Sequence, residues 1–118
     1  MHKIREMEGT RLSKVSRLLQ KDLGDIIQRE GVTLFRGKII TVTSVRVSPD
    51  LGVAKVYISI FPTDKKEDVL QSVRVHTKQF RYELAQRVKH QLRIIPELSF
   101  FLDDSLDYFE NIDKLLKS

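Results

Sequence analysis

The chain has 118 residues, with 21 lysines and arginines against 16 aspartates and glutamates, for a formal net charge of +5. That is the length of one domain, and 41% hydrophobic residues supply one core. The absence of cysteine excludes disulfides, thiolate zinc sites, iron–sulfur clusters and cysteine catalysis, and the basic balance favours polyanionic partners. No apolar run approaches the roughly 20 residues of a membrane span. The opening MHKIREMEGTR has no apolar stretch to act as a signal peptide, so a cytoplasmic protein without membrane contact is expected.

Thr10 is placed to cap a first helix over residues 11–30. Leu12, Val15, Leu19, Leu23, Ile26 and Ile27 fall on one face at helical spacing. Arg11, Lys14, Arg17 and Lys21 project away from it. Gly31 is the expected stop. In the loop that follows, Val32, Leu34 and Phe35 are expected to turn onto the core, and Arg36 and Lys38 toward water.

Residues 39–48 and 53–61 read as a β-hairpin rich in β-branched residues. Strict alternation puts Ile39, Thr41, Thr43, Val45 and Val47 on one face and Ile40, Val42, Ser44 and Arg46 on the other. In the returning strand Ala54, Val56, Ile58 and Ile60 oppose Lys55, Tyr57 and Ser59. In the turn, Pro49 presets its φ and Gly52 tolerates a positive one.

Pro62 ends the strand, and Thr63 or Asp64 is placed to cap a second helical run to about residue 91, with Val69, Val73, Phe80, Leu84 and Val88 as its buried stripe. Arg74, Lys78, Arg81, Arg87, Lys89 and the nearby Arg93 make a dense basic surface that Glu83 alone opposes, whereas exposed helices usually mix signs. Charge reversal at Arg81 and Lys89 is expected to weaken binding and spare folding. A third strand over 97–102 is entered through Pro96 and alternates Leu98, Phe100 and Leu102. Asp103, Asp104 or Ser105 is placed to cap a last helix over 106–116.

Catalytic constellations are wanting. Asp103, Asp104 and Asp107 suit a helix N-terminus better than a metal or acid/base cluster. His2, His76 and His90 are scattered, and no HExxH, GxSxG, Walker or GxGxxG pattern occurs. Tyr57, Phe80, Phe100 and Phe101 alternate with aliphatic residues and are expected to be structural, not a base-stacking platform. The reading is of a non-enzyme with no cofactor, metal or small-molecule substrate.

The order helix, strand, strand, helix, strand describes an α+β, KH-like domain of the second topological type, αββαβ. It predicts a three-stranded sheet with helices packed on one face, a core over about 11–107 and a short C-terminal helix. KH domains clamp a nucleic-acid backbone with a GxxG loop. The glycines here stand at 9, 24, 31, 37 and 52, no two at that spacing, so RNA binding would need another surface.

The segments ITVTSVRVSPDLGVAKVYIS and LRIIPELSFFLDDSLD, behind the helix RLSKVSRLLQKDLGDIIQRE, closely resemble the bacterial ribosome-binding factor A family. The combination of VSPDLxxAKVY with RxxPELxFxxDxS is specific. The resemblance implies a non-enzymatic assembly factor that binds the small (30S) ribosomal subunit, assists late maturation of 16S rRNA and matters most in the cold; a monomer is expected. The RNA-binding candidates are Arg11, Lys14, Arg17 and Lys21, with Lys78, Arg81, Arg87, Lys89 and Arg93; Arg46 and Lys55 are weaker ones. Family members often kink the second long helix at an Ala-x-Gly step. Residues 75–79 contain neither alanine nor glycine, but a kink is expected there, with the Thr77 hydroxyl bonding back one turn. Members can also carry a longer charged tail than the one seen here. The alternative to RNA binding is a protein-interaction module whose basic faces answer an acidic partner.

Overall fold

The computed structural model describes residues 2–103, with side chains from residue 11 onward. The expected helix at 106–116, together with Asp104, Ser105 and Asp107, lies outside them. Helix α1 runs His2–Leu34, 33 residues, so Thr10 lies inside the helix and not at its start. Residues 2–9 carry no proline, and a lone Gly9 costs only about 1 kcal/mol, too little to start the helix afresh. Gly31 does not stop α1 either. Its carbonyl accepts the Phe35 N–H at 2.9 Å, and the left-handed residue is Gly37, φ 79°. The Phe35 ring folds back over Gly31, 3.6 Å from where a Cβ would stand. Phe35 is buried and Leu34 half-buried, but Val32 is 78% exposed, contrary to expectation.

Strands β1 (Ile39–Val47) and β2 (Val53–Phe61) pair antiparallel, and β3 (Glu97–Leu102) pairs parallel to β2, giving the order β1-β2-β3. The register slips between Val42 and Ser44, where a β-bulge adds one residue. Strict alternation is therefore wrong for β1: Ile40, Val42 and Val45 are all buried on the helix side. The bulge brings Val45 onto the same face as Ile40 and Val42. Thr43 pins it: its Oγ1 donates to the Tyr57 carbonyl (3.1 Å) and lies 2.6 Å from Asp103 Oδ2, while Gln20 Nε2 donates to the Thr43 carbonyl (3.2 Å). Asp103 thus holds the sheet. In the hairpin turn Asp50 Oδ1 accepts from Ser48 Oγ (2.7 Å) and the Gly52 N–H (2.9 Å), which holds the Asp50 carboxyl below its usual range. The positive φ falls on Leu51 (61°), not Gly52.

Helices α2 (Lys66–Val75) and α3 (Thr77–Val88) meet at His76, where φ −95° and ψ 13° break the α path within the expected 75–79 segment. The His76 N–H reaches back to Val73, the Thr77 hydroxyl donates to the Arg74 carbonyl at 2.7 Å, and His76 Nδ1 lies 2.8 Å from the Ser72 carbonyl. The expected cap at Thr63 or Asp64 is absent. Lys65 takes a left-handed φ of 58° with no side-chain cap, and Asp64 is held by Lys38. Lys38, expected to be wet, is only 15% exposed along its side chain; its Nζ donates to the Pro62 carbonyl (2.9 Å), the Asp64 carbonyl (2.5 Å) and Asp64 Oδ1 (3.0 Å). That bond holds the Asp64 carboxyl below its usual range. Helix α3 closes at Val88, whose carbonyl accepts from both Gln91 and Leu92, short of the expected 91.

The three helices of the described residues cover one face of the sheet. Leu19, Leu23, Ile26 and Ile27 of α1, Val73 of α2, and Phe80, Leu84 and Val88 of α3 are fully buried against Ala54, Val56, Ile58 and Phe100. Each large side chain contributes about 1.5–3 kcal/mol on burial. Phe80 and Phe100 meet edge to face, ring centres 6.1 Å apart.

Candidate nucleic-acid interface

On α1, Arg11, Lys14, Arg17 and Lys21 are all exposed, at helical steps that line them up in one row. Apolar burial on the opposite side fixes their direction. Arg17 shares a shallow groove between α1 and β1 with Ser13, Ser16 and Arg46, so the row continues onto the sheet edge.

The second basic surface divides. Lys78, Lys89 and Arg93 are exposed. Arg81 is turned back: its Nη2 donates to the Ile95 carbonyl at 2.7 Å and its Nε to the Pro96 carbonyl at 3.1 Å, securing the entry to β3. Arg87 reaches α1, 3.5 Å from Asp22 and 3.4 Å from Asp25. Arg74 donates through Nε (3.2 Å) and Nη2 (2.8 Å) to the Phe100 carbonyl on the β3 edge. Arg81 is exposed, but its bonds to two carbonyls give it a part in the fold that the expectation of an idle surface charge did not include. Arg81 still borders an open cleft with Lys78, Tyr82, Ala85 and Ile95. Glu83, expected to oppose these cations, faces α1, with Oε1 3.7 Å from Arg29 Nη2. Burial pushes its carboxyl up, and Glu30 beside it adds to the shift against Arg29 and Arg87.

The face of the sheet away from the helices was not singled out by sequence. There Tyr57 and Phe101 stand in register on neighbouring strands, ring centres 5.7 Å apart and planes 31° apart. Phe101 is 37% exposed, so it is not a core ring. Alternation placed Tyr57 outward, but only the parallel register of β2 and β3 brings the two rings together.

The two helices α2 and α3 join at one residue, leaving no loop for a GxxG clamp. Among the described residues no three acidic or histidine side chains converge as metal ligands. What remains is a KH-like α+β domain whose surface chemistry is carried by cations presented on packed helices. The family model described as "Ribosome-binding factor A" matches residues 11–116. The chain belongs to that family. It is 46% identical to ribosome-binding factor A of Cytophaga hutchinsonii over 110 residues, 93% of this chain and 83% of the relative. The crystal structure of ribosome-binding factor A from Thermus thermophilus is 29% identical, with a TM-score of 0.65 over 77% of this chain and 94% of that one. A homology model of the Thermus thermophilus factor, as fitted into a cryo-EM map of a 30S–RbfA complex, is 30% identical with a TM-score of 0.59, covering 74% and 89%.

Proposed function

We propose that the chain binds the small (30S) ribosomal subunit as a monomer in the cytoplasm and assists late maturation of its 16S rRNA, with most consequence in the cold. It does no chemistry. Phosphates are neutralised by the α1 row of Arg11, Lys14, Arg17 and Lys21 and by Lys78, Lys89 and Arg93. Arg81 and Arg87 contribute field while they hold the fold. Affinity is largely electrostatic, and register comes from the shape of folded rRNA. The observation that carries this is the exposed α1 row, without partners among the described residues, in a family one of whose members has been fitted into a 30S complex map. Co-sedimentation with purified small subunits over a salt series tests it. The unaltered chain should bind with a steep salt dependence. A Lys14→Glu, Lys21→Glu variant should bind on the order of tenfold or more weakly with a shallower salt slope, and melt as before. Unchanged binding by that variant sinks the assignment of the α1 row.

A further inference from the structure

The open face of the sheet is ordered by register. One cross-strand row holds Ser44, Tyr57 and Phe101; the next holds Arg46, Lys55 and Ser99. The guanidinium of Arg46 lies 6.0 Å from the Tyr57 ring centre, and that of Arg74 lies 6.0 Å from the Phe101 ring centre. Two adjoining rings are thus bracketed by arginines, with exposed Lys55 beside them. Two acids border this face among the described residues: Glu97 at the entry to β3, and Asp103 just past its end, whose carboxylate is engaged by the Thr43 hydroxyl at 2.6 Å.

We propose that this face is a second RNA contact, on which Tyr57 and Phe101 stack unpaired bases of a single strand while Arg46 and Lys55 hold its phosphates. The inference rests on reading the chain as an RNA binder, but it assigns a surface that the helix cations do not include. The charge argues for the occupant. Apolar rings set among cations suit a ligand that is a flat π-system along a polyanion, and single-stranded nucleic acid is such a ligand. An apolar peptide would leave Arg46 and Lys55 without counter-charges. A duplex would offer no base faces to the rings. The platform is also held in place: Arg74 bonds the Phe100 carbonyl on the edge strand, and Thr43 bonds the Tyr57 carbonyl from the bulge. Stacking on such rings is sequence-tolerant, because every base has a π-face.

The experiment uses the full chain and an oligouridine of about eight nucleotides, within the site size of known single-strand binders. Fluorescence anisotropy gives affinity across a salt series, and NMR follows the aromatic ring protons. In the unaltered protein the Tyr57 and Phe101 ring signals should move upfield as oligonucleotide is added. Phe101→Leu and Tyr57→Leu should each weaken single-strand binding on the order of tenfold without altering the salt slope. Tyr57→Phe should retain binding, and Arg46→Gln should lower the slope. Leucine variants that bind the oligonucleotide as tightly as the unaltered chain overturn the proposal. So do ring signals that stay fixed at saturating RNA, a result that needs no variant to fold. Contacts between those rings and residues 104–118, seen as nuclear Overhauser effects and unaffected by RNA, would assign the face to the chain itself. None of these negative results touches the helix cations, which are judged by subunit binding.

Discussion

The α1 row and the α2–α3 surface look alike as sequence, since both are helices with basic residues opposite an apolar stripe. In three dimensions they differ. Arg11, Lys14, Arg17 and Lys21 are exposed with no partner among the described residues, whereas Arg74 and Arg81, also exposed, and the half-buried Arg87 turn to carbonyls and carboxylates of other elements. The difference comes from what lies within reach. Helices α2 and α3 pack beside β3 and its entry, where carbonyls at Ile95, Pro96 and Phe100 accept side-chain donors. A guanidinium has five donors in a rigid fork and satisfies such groups while keeping its charge. Positive charge on a helix is therefore of two kinds, and only side chains without internal acceptors are free to direct all their donors to phosphate.

The sharpest way to break this comparison is to reverse charge at one residue of each kind on the same helix. Arg81→Glu removes the donors from two carbonyls and sets a carboxylate against them, so it should lower unfolding free energy by about 1–3 kcal/mol. Lys78→Glu, three residues earlier and exposed, should change it by no more than about 0.5 kcal/mol while still weakening subunit binding. Urea unfolding of the two variants decides the matter. Equal stabilities would mean that Arg81 is as idle in the fold as Lys78.

How far the sequence could be read follows from the same distinction between local pattern and long-range register. The strands and the αββαβ order were legible, because alternation, turn chemistry and helical spacing are local signals. The kink was legible through the family resemblance and the Thr77 hydroxyl. The α1 row was legible as an exposed face, since apolar spacing on one side dictates the other. Three things were not. The bulge at Thr43 is visible only as Ile40 and Val42 falling out of phase with Val45, which strict alternation left divided between faces. Phe100 and Phe101 are adjacent letters, yet one is 1% and the other 37% exposed, and Phe101 meets Tyr57 only through parallel pairing. The inward turn of Arg81 and Arg87 depends on partners 14 or more residues away.

Arg87 tests the comparison more gently. Its guanidinium spans Asp22 and Asp25 of α1 at 3.4–3.5 Å, but its side chain is 30% exposed and water screens the pairs. Arg87→Leu should therefore cost at most about 1 kcal/mol, and that cost should shrink as salt rises. A loss as large as that for Arg81→Glu would show that the α1–α3 ion pairs, and not the carbonyl bonds, dominate this surface.

The smallest effect concerns Glu83, the acid that sequence reading set against the basic surface. It faces Glu30 and Arg29 of α1 and Arg87 of its own helix, while Gln79 donates to Glu30 Oε2 at 3.4 Å. Its Oε2 is buried with no donor among the described residues. Burial first, and then Glu30, pushes its carboxyl above the ordinary value. The folded chain thus keeps a proton that the unfolded chain has already released. This contribution to stability is complete below the unfolded carboxyl's range and fades as pH rises through the folded one, opposite in sign to an acid held down by a cation. Glu83→Gln keeps the shape, supplies a donor toward Glu30 and removes the titration. It should alter stability by no more than about 1 kcal/mol, with the gain over the unaltered chain growing as pH rises from acid toward neutral. Thermal melting of both proteins across that range checks the sign. A gain that shrinks with rising pH would mean that Arg29 and Arg87 outweigh burial, and that Glu83 is an ordinary paired carboxylate after all.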